Sequence, residues 1–349
     1  MRMIQTLKGP LNINNVGSIC VHEHLFLDMT HEAVMPKTET EKQLFYGEIQ
    51  MDKLGILRRN PYIIQTNLIL DNIEDAVSEL EYLRKYNCNL FVDLTTVGLG
   101  RNIEKLRIVS QKTDMNFVVG CGLFVHDAVP EPYKSWSSQE IAAWMLDEIE
   151  NGIEDTGIRP GVIGEIGVSE KIYPMEERSL EAAAMVNLKT GLPIYLHIYP
   201  WSRAGLDALR LLVQEGVKPE QICICHLDIT FNEEYIYEAL NMGVYLEFDN
   251  FGKEFYFDAQ DGVFAGGPFE TDVARVRMIR RLAEEGYSDK LLVANDVCLK
   301  ASLHKYGGWG YDHIFTNILP MMQMEGIEKD EIRKMFYENP RHFLFGKEQ

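Results

Sequence analysis

Eight short apolar runs, near 18–27, 89–95, 117–124, 161–167, 192–198, 221–227, 244–248 and 290–295, are strung along the chain, and helix-spaced apolar residues fall between them. Continuous apolar strands alternating with amphipathic helices imply a parallel sheet whose outer face is covered by helices. Eight such units in 349 residues fit a (β/α)8 TIM barrel of the α/β class. An open doubly wound sheet would instead need a glycine-rich dinucleotide fingerprint after an early strand, and Gly98-Leu99-Gly100 alone is too little. Turn residues at Gly9-Pro10 and Asn14-Asn15 predict a short N-terminal hairpin over 1–16, and helical spacing predicts closing helices at 311–325 and 328–337. A mixed segment at 28–70 separates the first strand from the regular rhythm. With no linker or composition break, the whole of 1–349 reads as one unit, the barrel occupying about 17–340.

Charge narrows the function classes. A formal net charge of −19 argues against non-specific nucleic-acid binding, which needs a basic surface. The chain has no apolar run of transmembrane length and no secretory leader pattern, and its six cysteines sit mostly in apolar runs. The expectation is a cytoplasmic protein with reduced cysteines, acting on a small molecule without membrane or nucleic acid.

The residues that carry chemistry stand at strand ends. Val21-His22-Glu23-His24-Leu25 places two imidazoles two residues apart on the first strand, on one face by alternation, half of a metal site. Glu165 lies near the end of the fourth run, His197 closes the fifth, His226 the sixth and Asp296 the eighth. A lone strand-end His or Asp usually caps a helix or satisfies a loop. Six ligand-capable residues at matching ends of five strands require that explanation once per residue, and barrels of this kind do their chemistry at that face. Four histidines and two carboxylates suffice for two divalent ions, with Glu165 able to bridge them and Asp296 able both to ligate and to accept a proton. Zinc is placed first among the candidate ions; manganese, cobalt and iron also suit the nitrogen and oxygen donors.

These motifs, Val-His22-Glu-His24-Leu, Gly-Glu165-Ile-Gly, Leu-His197-Ile-Tyr-Pro, Cys-His226-Leu-Asp and Asn-Asp296-Val-Cys, resemble in order the phosphotriesterase-like family of the amidohydrolase superfamily. The resemblance implies a binuclear metal centre on a (β/α)8 barrel and, in many members, a homodimer. Many members bridge the metals with a carboxylated lysine, where this chain has Glu165. Two substrate classes follow from the resemblance, lactones and organophosphate triesters.

Other residues carry weaker signals. Strand alternation puts Cys223 and Cys225 on the face away from His226, toward the helices, against a C-x-C-H zinc reading. Lys253, past the seventh strand, and Arg275, opening the next helix, are candidate anion anchors; ordinary surface charge is at least as common. Arg203 and Lys300 are weaker candidates of that kind, and His126, His304 and His313 fall in or near loops where surface or capping roles prevail. Phe251, Phe255, Tyr256, Trp309 and Tyr311 could wall a pocket or only pack the loops. The resulting expectation is a metal-dependent hydrolase. A hydroxide bridging two metals would open a sugar-derived lactone, phosphorylated if Lys253 and Arg275 form an anion pocket, with Asp296 carrying the proton. The alternatives are a phosphotriesterase or amide hydrolase on the same metals, or a non-catalytic metal-containing binding protein.

Overall fold

The computed structural model describes residues 2–256 and 267–346. Eight parallel strands form one curved sheet: β1 (Ser18–Glu23), β2 (Cys88–Asp93), β3 (Asn116–Cys121), β4 (Val162–Gly167), β5 (Ile194–His197), β6 (Ile222–Ile224), β7 (Tyr245–Phe248) and β8 (Leu291–Val293). Each pairs with its sequence neighbour, so the sheet runs in chain order, with β1 and β8 at its two ends. Helices cover the outside: α1 (Ile73–Leu83), α2 (Ile103–Thr113), α3 (Ser138–Asn151), α4 (Pro174–Thr190), α5 (Ala204–Gln214), α6 (Glu233–Met242) and α7 (Asp272–Glu284). This is the (β/α)8 barrel that the alternation predicts.

Local chemistry sets the element boundaries. The side chains of Asn72, Asn102, Ser137, Asn232 and Thr271 each accept a backbone N–H at a helix start, satisfying donors that the first turn leaves open. Gly191 and Gly243 end α4 and α6 in the left-handed conformation, at φ +74° and +89°, where a β-carbon would be strained.

Period-2 alternation sorts strand residues into two cores. Cys20, Phe91, Phe117, Ile163, Ile194 and Ile222 pack outward against the helices. Ile19, Val21, Leu90, Val92, Val118, Val162, Tyr195 and Leu292 fill the barrel interior. The interior plug is closed from below by the hairpin (Met3–Thr6 with Gly9–Asn12), through Ile4, and by Phe343, Leu344 and Phe345 of the last helix. Arg341 fixes that helix by donating to the carbonyls of Val16 and Gly17, both at 2.6 Å.

Two local expectations need correction. Cys223 and Cys225 belong to the interior cluster, not to the helix-facing side. Regular β6 ends at Ile224, and His226 takes φ +65°, so alternation no longer relates its direction to that of Cys225. The last helix also continues beyond 337, to Phe345. A π turn precedes each late proline, 314–318 before Pro320 and 334–338 before Pro340, and a widened turn accommodates a ring that would clash in a regular helix.

Segment 28–70 forms a flap over the barrel mouth. Leu27–Asp28 pairs antiparallel with Ile69–Leu70, and short helices at Glu39–Phe45 and Leu54–Arg59 lie between.

Candidate metal centre

At the C-terminal ends of the strands, His22, His24, Glu165, His197, His226 and Asp296 converge, all with less than a tenth of their surface exposed. Five of them reach the site by leaving regular geometry. The β1–β2 register shifts between Cys20 and Glu23, so that His22 and His24 both reach the site. His226 and Asp296 hold φ of +65° and +47°, each costing about 1–3 kcal/mol that the surroundings must offset. Glu165 follows a second register shift, between Ile163 and Ile166 of β4.

Glu165 is the centre of the cluster. Its Oε1 lies 3.0 Å from His226 Nε2, 3.4 Å from His197 Nδ1 and 3.5 Å from His22 Nε2, and its Oε2 lies 3.6 Å from His24 Nε2. Two metal-capable triads share it: His22, His24 and Glu165, and Glu165, His197 and His226. Asp296 Oδ1 stands 3.2 Å from His24 Nε2 and 3.7 Å from His22 Nε2.

A shell of partners orients these rings. His22 Nδ1 lies 2.8 Å from Glu247 Oε2, His226 Nδ1 lies 3.1 Å from Asp249 Oδ1, and His24 Nδ1 lies 2.9 Å from Thr95 Oγ1. The Asp249 carboxylate also accepts the His226 backbone N–H at 3.0 Å. Such partners turn a ligating nitrogen toward the metal and raise its basicity. Glu247 and Asp249 share a face of the β7 stretch with Tyr245, which packs inside the barrel. Two acidic residues at period-2 spacing in an otherwise apolar strand are a signal visible in the sequence, absent from the expectations above; Thr95 carries no such signal.

The electrostatics are those of a site built for cations. Burial opposes charge on His22, but Glu165 and Glu247 outweigh it and lift the imidazole to about 10. His24 is likewise desolvated, yet Asp296 and Glu165 raise it to about 9. Burial works against ionised Asp296, and Lys253, whose ammonium donates to Oδ2, reverses this and holds the carboxyl below the ordinary range.

The residues fit divalent cations on an observation independent of any likeness. His22 Nε2 is buried with no hydrogen-bond partner, although it faces Glu165 and Asp296. A buried unsatisfied nitrogen is costly, and a metal ion in that position would satisfy it. His22, His24, Glu165 and Asp296 would hold one ion, and Glu165, His197 and His226 a second.

The other sequence candidates separate here. A cavity of about 300 Å³ opens above the cluster, and of these candidates Lys253 and Phe255 line it. Arg275 does not line it; its guanidinium is fully buried and engaged by Asp228 and Asp272, at 3.0 Å each. Arg203 pairs with Glu238, Lys300 lies 3.7 Å from Asp71, His304 bonds Glu79, and His313 bonds Asp272. His126 stacks on Tyr173, itself a wall residue. Of the loop aromatics, Tyr311 and Phe251 are buried, Trp309 stacks on His313, and Tyr256 is exposed. Pocket walls that sequence reasoning missed include Tyr62, Phe124, Tyr199 and Phe269, which come from four different loops.

Comparisons with known proteins agree with this geometry. A phosphotriesterase-related protein of Nematostella vectensis is 35% identical over 346 residues, covering 98% of each chain. The N-acetyltaurine hydrolase of Danio rerio is 32% identical over 343 residues, covering 98% of this chain and 97% of that one. Among solved structures, a resiniferatoxin-binding protein from Rhodobacter sphaeroides superposes with a TM-score of 0.93 at 31% identity, over 98% of this chain and 94% of that one. A phosphotriesterase homology protein from Escherichia coli, complexed with phosphate in its active site, gives 0.77 at 27% identity, over 95% of this chain and 99% of that one. Residues 2–344 match the sequence profile of the phosphotriesterase family. With the profile matched along nearly its whole length and the barrel in place to carry it, the chain belongs to the phosphotriesterase family and is a hydrolase.

Proposed function

We propose that this hydrolase adds water to the carbonyl of a small carboxylic acid derivative, with an N-acyl amide as the first substrate class and a lactone as the second. The observation that carries the proposal is Asp296, a buried carboxylate on the edge of a four-histidine cluster, open to a cavity of about 300 Å³. The amide class draws support from the N-acetyltaurine hydrolases, which match this chain over nearly its full length. The lactone class rests on the family resemblance. A phosphorylated lactone gains no support from its two expected anchors, because Lys253 is engaged by Asp296 and Arg275 by Asp228 and Asp272.

Divalent cations held by the six ligands would supply Lewis-acid polarisation of the carbonyl and bring the acidity of water into the neutral range. Asp296 is suited to the proton transfers: Lys253 keeps it ionised through Oδ2, leaving Oδ1 on the side of His22 and His24. It would take a proton from the attacking water and deliver it to the departing nitrogen, or to the ring oxygen of a lactone, whose leaving group stays tethered. Phe124, Ile229 and Phe269 give the cavity an apolar wall against which an acyl group would pack.

The test is a panel on metal-loaded protein: short N-acyl amides, lactones with and without a phosphate, and an aryl phosphotriester. Turnover of amides or plain lactones is expected. Turnover of the phosphotriester alone would overturn the carbonyl assignment while leaving the metal centre intact. The binding-protein alternative is judged with Asp296→Asn: an enzyme loses turnover while much of its metal remains, whereas a binding module keeps its ligand affinity.

A further inference from the structure

The middle residue of His22-Glu23-His24 has no part in the metal cluster, yet it is fully buried and ionisable. Its carboxylate crosses from β1 to the end of β8. Oε1 accepts the Asn295 backbone N–H at 3.1 Å and the Asn295 side-chain amide at 2.8 Å, and Oε2 accepts the Val297 backbone N–H at 2.7 Å. These donors lie on either side of Asp296.

The circuit continues back to β1. Asn295 Nδ2 also donates to the Tyr311 carbonyl at 2.8 Å, and the Tyr311 hydroxyl donates to the His24 carbonyl at 2.7 Å. The Asn295 side-chain oxygen accepts the Ile314 N–H at 3.2 Å. Meanwhile β1 and β8 are the two strands of the sheet without a ladder to each other. At the one seam where backbone pairing does not set the register, buried side chains span the gap. They do so at the level of Asp296, whose φ of +47° needs support from its neighbours.

We propose that Glu23, with Asn295 and Tyr311, is a seam clasp that positions Asp296 against the His22–His24 pair. Glu23 is a positioning residue: its carboxylate bonds the backbone on both sides of Asp296, makes no hydrogen bond to a ligand side chain, and does not line the cavity. The inference rests on the proposed role of Asp296 as proton carrier. Reacting groups tolerate little displacement, a shift of about 1 Å costing on the order of 10²-fold in rate.

Glu23→Gln tests this with nearly the same shape. A glutamine places an amide N–H against one of the donors on Asn295 or Val297, so at least one clasp bond is lost. The full-length variant is loaded with Co²⁺, and kcat, KM, bound metal and the visible absorption of the cobalt ions are measured beside wild type. The expected result is full metal content, a nearly unchanged KM, kcat lower by about 10–100-fold and an altered cobalt spectrum. Unchanged kcat and spectrum at full metal content overturn the clasp. So does a loss of activity that only tracks lost metal, because that is the signature of general destabilisation.

Should Glu23→Gln not fold, Asn295→Ala keeps both backbone donors but removes the side-chain bonds to Glu23 and to the Tyr311 carbonyl, and it is read in the same way. Its kcat loss should be smaller, and no change in kcat or spectrum at full metal content again overturns the proposal. If wild type turns over nothing in the substrate panel, the hydrolytic assignment is what fails. The cobalt spectrum of Glu23→Gln then decides the clasp alone: altered supports it, identical removes it.

Discussion

Along β1 and the residue just past its end, Ile19 and Val21 belong to an apolar plug, while His22 and His24 join a cluster of imidazoles and carboxylates. The same contrast repeats around the barrel. Below lie Leu90, Val92, Val118, Val162 and Leu292, sealed by the hairpin and the last helix. Above lie Glu165, His197, His226, Glu247, Asp249 and Asp296, also buried although several of them line the cavity. Burying apolar surface stabilises the fold, whereas burying charge costs stability unless each charge finds a partner. The lower layer therefore holds the barrel together, and the upper layer is arranged for chemistry at some expense in strain, as His226 and Asp296 show.

The division is tested most severely at Asp296. Asp296→Asn should lower kcat by about 10²–10⁴-fold in metal-loaded protein, with metal largely retained, as steady-state kinetics and elemental analysis would read. Retained activity would move the proton carrier elsewhere and blur the distinction between the layers. The opposite substitution is Leu90→Ala in the plug. It should cost about 2–5 kcal/mol in urea unfolding while the folded fraction keeps its kcat. A large kcat loss there would mean that the plug also tunes the site.

Between these extremes stands Glu247, which orients His22 from the boundary of the layers. Glu247→Gln should weaken metal affinity by about 10–100-fold in a chelator competition. The affinity of wild type should itself rise with pH. Without metal, the carboxylates around His22 and His24 hold them protonated to about 10 and 9, and ligation must expel those protons. A pH-independent affinity would contradict that electrostatic account. The smallest effect is expected outside the barrel, at Arg203→Ala. Its partner Glu238 is on the solvent side, so the loss should stay below about 1 kcal/mol with kinetics unchanged.

Much of this architecture was legible in advance because it rests on period. A strand repeat of two and a helix repeat near four show in a single chain, so all eight strands and seven outer helices fall close to their expected places. Where period breaks, it misleads. Alternation relates Cys225 to His226 only if β6 runs past Ile224, where it ends, and helical spacing predicts a stop at 337, whereas a π turn carries the final helix through Pro340. Lys253 and Arg275 show a different limit. Each is a basic residue near the mouth, yet their partners Asp296, Asp228 and Asp272 come from other loops or another helix position, and only folding shows that these charges are engaged.

By itself, then, the sequence determined the barrel and the six residues that meet at its mouth, because both follow from local spacing and from strand ends sharing one face. Tertiary structure alone decided which groups stand behind those six. Glu247 meets His22 across 225 residues of chain, and Glu23 meets Asn295 across 272. Contacts of that range depend on barrel closure, on register shifts in β1 and β4 and on left-handed residues at strand ends. None of these is encoded in the periodicity of a single segment.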